Sequence, residues 1–452
     1  MNDSWSLMLY LSYLSIFIGI AAFIKAKVPF LKRYVMPTAI LAGFIGMLLG
    51  PEMLGIVPFD QAILGNIVYH AMAIGFIALS LKSRTRETSP IVLKSGMLIV
   101  SVYMLQGIVG IVLTLLFMIA LKPDLFVGFG LLLPLGYGQG PGQAYSMGSQ
   151  WEKLGFYEGG NIGLTIATFG FLWAILIGIP FMNYHMKRHK LAVKAETLHR
   201  ERMPYMAQSE PDELPLGDAL DHLTPQIVLI GLVYLATYLS ILFLDHLIAP
   251  MGTFGKTFVT VLWGMQFNIA AGYAIIVRLL MDRWLKNGYL KHDFTNNYLL
   301  QRISGGVFDY MITAAIAAIS ISAVRQYLLP TVLMTTIGGI LTLYYLKFMV
   351  KRVYRKNTLE NLMGFYGMLT GTISTGMALL RGTDPEFDTD AASNLVFGSA
   401  IGMVFGTPLL LIINIPIMGY VDDNTALYGV TIALLAAYLT LLIWLMLRRE
   451  WA

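Results

Sequence analysis

The sequence predicts an all-α polytopic membrane protein. Two five-helix halves lie in opposite orientation, each with a re-entrant hairpin, and one extra transmembrane helix follows at the C-terminus. Three observations carry this. The 452 residues are 57% hydrophobic and only 13% charged, with mean hydropathy +0.68. An octapeptide occurs almost twice, as Ile177-Gly178-Ile179-Pro180-Phe181-Met182-Asn183-Tyr184 and Ile413-Asn414-Ile415-Pro416-Ile417-Met418-Gly419-Tyr420, with five of eight positions identical. Basic loops alternate with loops poor in basic residues along the whole chain.

Ordinary soluble domains are about 25% charged, so a chain this apolar is solvated mostly by lipid. The useful unit is then an apolar run of about 20 residues. Such runs fall near 5–24, 35–50, 66–81, 91–120 and 160–182 in the first half. The second half has 225–248, 257–281, 303–323, 328–349 and 392–419, and 426–447 is left over. The run at 91–120 exceeds what a bilayer needs, which predicts tilt or a kink. The start, Met1 to Trp5, lacks the basic segment of a cleaved signal peptide, so the first run reads as a retained helix.

Two further stretches, 125–149 and 360–381, are apolar at their edges but rich in Gly, Ser, Thr and Gln within. They read as re-entrant hairpins, because non-helical backbone survives at membrane depth only inside protein or along a wet cavity. Loop charge agrees. Basic residues cluster at Lys25, Lys27, Lys32 and Arg33; at Lys82, Arg84 and Arg86; at Lys187, Arg188, Lys190 and Lys194; at Arg283, Lys286 and Lys291; at Lys351, Arg352, Arg355 and Lys356; and at Arg448 and Arg449. Glu52, Asp60, Asp124, Asp245, Asp422 and Asp423 occupy the intervening loops. Alternation holds only if each hairpin returns to the side it left. The N-terminus is then outside and the C-terminus cytoplasmic. The domains that follow are a first repeat at 1–184, a cytoplasmic linker at 185–222, a second repeat at 223–420 and the extra helix at 421–452. Inverted repeats with broken segments at matching positions point to a secondary transporter's binding site.

The net charge of +5 is spread through short loops, which argues against nucleic-acid binding. Cysteine is absent, so disulfides and thiolate chemistry are excluded. No cofactor is implied, and none of the seven histidines lies in a hairpin or in an H-E-x-x-H pair, so no zinc site is proposed.

The first hairpin alternates glycine with polar or cyclic residues from Gly136 to Ser146. Glycine lets the backbone turn and approach a ligand closely. Gly138, Gln139, Gly140, Gly142, Gln143 and Ser146 are therefore candidate substrate contacts, against the blander reading of tight helix packing. The second hairpin places Thr370, Thr372, Ser374 and Thr375 within six positions, four hydroxyls that suit a cation's oxygen shell. Shifting one hairpin by the octapeptide offset lays Gly140 on Gly376, which makes Gly376 the second tip. Arg381 offers a planar fork for a carboxylate, or pairs with Asp384 and Glu386 at the cytoplasmic edge. Asp309 is an acid inside an apolar run: a sodium ligand, a proton carrier, or a partner of a buried base. Gln106 is a further polar residue within a membrane run.

At these segments the chain resembles the bacterial sodium:glutamate symporter family. The residues that carry the likeness are Gly138-Gln139-Gly140-Pro141-Gly142-Gln143-Ala144-Tyr145, Ala167-Thr168-Phe169-Gly170 and Leu176-Ile177-Gly178-Ile179-Pro180. Gln106 fits a family glutamine, and Thr372-Ile373-Ser374 stands where the family has a Thr-Pro-Thr turn. The resemblance implies sodium-coupled uptake of glutamate or a related small carboxylate in the bacterial cytoplasmic membrane. It also implies a homodimer moving elevator-fashion. From their chemistry, Asp309, Gln106, Thr370, Thr372, Ser374 and Thr375 are the candidate cation ligands. Three rivals stand beside it: a proton-coupled carrier of the same fold for another organic anion, built on Asp309, and, from other classes, a channel and an intramembrane aspartyl protease. The protease needs a second acid at membrane depth, and none presents itself.

Overall fold

The computed structural model describes residues 3–28, 37–82, 90–188, 216–251, 253–264, 266–290, 293–384 and 389–448. Much of the expected linker (189–215) lies outside them, as do Lys32, Arg33, Arg84, Arg86, Lys190, Lys194, Lys291, Glu386 and Arg449. Every regular element among the described residues is helical.

In chain order the helices are α1 (Asp3–Lys27), α2 (Thr38–Leu49), α3 (Gln61–Ser80) and α4 (Pro90–Ala120). A short 3-10 turn (Val127–Leu131) and a π-helical turn (Pro134–Gln139) lead into α5 (Pro141–Glu152). Helix α6 (Gly159–Trp173) runs through a second π turn (Ala174–Gly178) into α7 (Ile179–Arg188). Then come α8 (Leu216–Ile248), α9 (Thr253–Gly264), α10 (Gln266–Lys286), α11 (Asn297–Ala317) and α12 (Ile321–Gln326). The chain continues with α13 (Leu328–Val353), α14 (Thr358–Thr370), α15 (Ile373–Thr383), α16 (Ala391–Ile412), α17 (Ile415–Val421) and α18 (Ala426–Leu447).

Eight helices among the described residues are long and apolar enough to cross a membrane, or nine if the bent pair α9–α10 counts as one span. They include the runs predicted around 5–24, 66–81, 91–120, 160–182, 225–248, 328–349 and 426–447. Helix α2 has only 12 residues, and α11 is long but carries Gln301, Arg302, Ser304 and Asp309 among its apolar residues. The run at 392–419 is interrupted at Ile413 and Asn414, ahead of Pro416, and the crossing stretch Ile401–Val421 carries through that break. The second octapeptide falls on that break, and the first follows the π turn before α7. Each octapeptide therefore marks an irregular stretch of helix rather than a loop.

The chain divides into two compact units. One comprises Met1–Asn66, Thr88–Arg188 and Ile312–Ala452; the other comprises Ile67–Glu87 and His189–Met311. The spine of the first unit is α4, whose 31 residues span about 46 Å at 1.5 Å each. Small residues let α16 lie close along it: a Cβ on Gly398 would stand 2.7 Å from the Ser95 Cβ, and one on Gly96 2.5 Å from Ile401 Cγ2. Without a hydrophobic drive between helices in lipid, such close approach is what holds them together. Helix α18, the extra one, also covers α4; Leu435 Cδ1 lies 3.2 Å from the Cβ position of Gly107. Its Tyr438 hydroxyl donates to the Phe405 carbonyl of α16 at 2.7 Å.

The loop between α2 and α3 is fixed by one acid. Glu52 accepts from Gln61 Nε2, Ser320 Oγ and the Ser322 amide, each at 2.9 Å. Partial burial acts to raise the Glu52 pKa, but these hydrogen bonds outweigh it and hold the carboxyl below its ordinary value.

In the second unit the core is aromatic: Phe76 lies 5.4 Å from Phe267 and 5.7 Å from Phe308, ring centre to ring centre. Arg278 is buried there and pairs with Asp282 and with Asp293, the latter at 2.9 Å. A buried guanidinium needs such partners.

Candidate functional site

The Gly-rich segment before α5 breaks because its residues demand it. Gly140 has φ 100°, a conformation open to glycine and costly for other residues. Pro141 begins α5, where its missing N–H costs nothing. Phe126 stacks on Phe156 at 4.6 Å and lies 6.2 Å from Trp151. The chain leading to Gly140 and the chain returning from it thus start and finish at one level. Gly140 is the turn between them.

The second segment breaks at Gly371 (φ −144°) and Thr372 (φ −142°), between α14 and α15. A Cβ on Gly367 would stand 2.8 Å from the Thr375 carbonyl oxygen and 2.9 Å from Gly376 Cα. The two helices therefore run back to back on glycine. The offset of the octapeptides misplaces this tip by five residues. Gly376 lies inside α15, packed on the Gly364 carbonyl at 2.5 Å from its Cβ position.

Helix α4 serves as a ruler for both segments. Near its N-terminus, Ser95 Oγ and Tyr354 OH share a hydrogen bond of 2.6 Å, just before α14. Toward its C-terminus, Gly110 packs directly on the Gly130 backbone, on the way to Gly140. Between these levels sits Gln106. Its amide nitrogen donates to Thr342 Oγ1 at 3.0 Å and to the Leu369 carbonyl at 2.9 Å. Its Oε1 lies 3.1 Å from the Cβ position of Gly138. The segments approach Gln106 from opposite ends of α4, and their tips touch: Thr372 Cγ2 is 3.7 Å from the Cβ position of Gly140. Gly170 of α6 closes the side, pressed against the Thr370 carbonyl and the Tyr137 ring.

Four helix ends meet at these tips. The π turn ending at Gln139 and α14 ending at Thr370 present carbonyls and the negative end of their dipoles. Helices α5 and α15 begin there and present amides and the positive end. One place can thus take an anionic group and a cation together. Side chains add to this. Gln106 Oε1, Gln139 Oε1 and Gln143 Oε1 are buried and accept no hydrogen bond from the described residues.

Residues 5–381 match the family described as sodium/glutamate symporter. The chain belongs to that family. It is a family of transporters, not of enzymes, so the protein is a multi-pass membrane transporter of the sodium/glutamate symporter kind. No curated protein matches the chain. The family match ends at Arg381; α16, α17 and α18 lie beyond it.

Within this family member the expected site residues distribute as follows. Gly138, Gln139, Gly140, Gly142 and Gln143 gather at the first tip, and Gln106 reaches them from α4. Ser146 is buried farther along α5. At the second tip, Thr372 Oγ1 lies 3.4 Å from Thr375 Oγ1, while Thr370 donates its proton to the Tyr366 carbonyl at 2.7 Å. Back-bonding of that kind satisfies a hydroxyl within its own helix. The Ser374 side chain lies outside the described residues. Arg381 is exposed in the last turn of α15, eight residues or about 12 Å along the helix from Ile373. Asp309 is exposed and belongs to the second unit, whereas both tips belong to the first.

Three participants had no signal in the sequence that singled them out. Thr342 and the Leu369 carbonyl anchor Gln106, and the Tyr103 ring fills the space that Gly138 leaves. Tyr103 and Thr342 are ordinary members of apolar runs and Leu369 an ordinary member of the second broken segment, and only the packing brings them to the site. Gly170 was part of a block shared with the family, but its purpose, making room for the Thr370 carbonyl, is a fact of three dimensions.

Proposed function

We propose that the protein carries glutamate or a related small carboxylate into the cell in symport with Na⁺. The observation that carries this is the meeting of two broken segments, Gly140 against Thr372, beside a polar residue buried in the longest helix. The substrate carboxylate is assigned to the amides that open α5 and α15, where the backbone N–H groups of Gly142 and Gln143 have no carbonyl within the helix to donate to. Na⁺ is assigned to oxygens at the same tips. The first unit, which holds both segments, is the part proposed to carry the substrate in an elevator-type cycle, within a homodimer. We place the protein in the bacterial cytoplasmic membrane, N-terminus outside and C-terminus cytoplasmic, on the alternation of loop charge.

Uptake of labelled glutamate into proteoliposomes, with an imposed Na⁺ gradient and clamped pH, tests the reading. Uptake is expected only with Na⁺ outside. Uptake driven equally well by a proton gradient without Na⁺ would replace the coupling ion and return Asp309 to consideration.

A further inference from the structure

We propose that the side-chain oxygens of Gln106, Gln139 and Gln143 form the site of the coupling cation, and that Gln106 links its occupancy to the second tip. This rests on the sodium-coupled reading above and names the ligands within it.

The orientation of Gln106 is decided by its partners. A backbone carbonyl only accepts, so the nitrogen of the side-chain amide must face Leu369. Its oxygen is then turned away from α14 and toward Gly138. Gln106 is 1% exposed and Gln143 4% exposed, and neither oxygen has a donor among the described residues. Gln139, the residue before the Gly140 turn, has a third such oxygen. Buried acceptors without donors are rare in folded proteins and call for a water, an ion or a ligand group. A carboxylate cannot fill the role, since it brings only acceptors. A hard cation can: amide and backbone carbonyl oxygens replace its water. The negative dipole end of the π turn adds to the attraction.

The second tip is a poorer host. The proton of Thr370 is committed to Tyr366, and Thr372 and Thr375 lie beside one another. The surplus of acceptors is on the first tip. Gln106 nevertheless holds the second tip through Leu369. A cation drawn to its oxygen fixes the amide plane and, through the other end of that plane, the end of α14. Loading the first tip therefore orders the second.

The full-length protein is titrated with NaCl against choline chloride, without substrate, and its melting temperature is followed. Uptake of labelled glutamate is measured against Na⁺ concentration and, at saturating Na⁺, against glutamate concentration. The variants are Gln139→Met, Gln143→Met and Gln106→Met, which keep shape and remove the oxygen. The expected result is that each weakens the Na⁺ response about tenfold, with half-saturation for glutamate at saturating Na⁺ nearly unchanged. Wild-type Na⁺ response in Gln139→Met and Gln143→Met overturns the inference. So does loss of glutamate affinity with the Na⁺ response intact, which would give the oxygens to the substrate's ammonium group. Gln106→Met also loses two internal hydrogen bonds; should it misfold, Gln139→Met at the half-buried tip still decides. A wild-type protein indifferent to Na⁺ defeats the sodium-coupled reading itself, before any variant is compared.

Discussion

The first broken segment turns at Gly140 with a positive φ and starts again on a proline; the second turns at Gly371 (φ −144°, ψ −106°) and passes through Thr372 in extended backbone. The first is lined by amides whose oxygens have no donors among the described residues. The second is lined by hydroxyls that bond within their own hairpin. Two segments in matching places thus differ in how finished they are. Hydroxyls can bend back to the carbonyl four residues earlier, so a threonine-rich tip can satisfy itself. The glutamine oxygens here are held away from any such partner, so the glutamine-rich tip waits for something else. Two broken segments whose tips touch need not share their chemistry.

The contrast can be broken most forcefully where the tips are wedged together. Gly170→Val drives side-chain atoms into the Thr370 carbonyl, and overpacking of this kind costs about 3 kcal/mol. Loss of uptake and a large fall in melting temperature are expected. Gly140→Ala is next, at about 1–2 kcal/mol for a non-glycine residue at positive φ; Thr372→Ala, in extended backbone, carries no such cost. A melting curve on each separates the strained turn from the relaxed one.

Thr342→Val removes one of the two acceptors of Gln106 and should cost about 1 kcal/mol. Thr370→Val, which removes a local back-bond, should cost less. The reverse order would mean that the second tip, not Gln106, organises the site.

At the base of the first segment, Gln61 accepts from Asn161 at 3.3 Å and donates to Glu52. The folded-state pKa of Glu52 is depressed, so its contribution is present above the unfolded value, ordinarily 4.5, and fades as pH falls through the folded value. Glu52→Gln should lower the melting temperature slightly at pH 7, and the gap should close in acid below pH 4.5. A gap that persists in acid would assign the effect to packing.

The smallest effect is expected for Arg381→Lys. With the side chain exposed and about 12 Å from the tip, half-saturation for glutamate should hold within about twofold, well under the tenfold that 1.4 kcal/mol represents. A larger loss would bring Arg381 back as a carboxylate clamp.

What could be read from residues alone was whatever depends on solvent and backbone. Composition gave lipid as the surroundings, and apolar runs gave most of the helices. The glycines marked where helices had to break, and the eight residues around Gln139 carried the family. Two features stayed hidden. The second tip falls at Gly371 rather than Gly376, because an offset along the chain ignores how far each arm reaches before it meets its neighbour. Arg381, the conspicuous charge of the second segment, stands at the far end of its helix from the tip, since a charge in a sequence has no depth until helices are packed. The amino-acid sequence determined that this protein is a bundle of membrane helices with two flawed segments, because periodicity and glycine act locally. Tertiary structure alone decided that Gln106 turns its nitrogen to one tip and its oxygen to the other, because that choice is made by Leu369, 263 residues away along the chain.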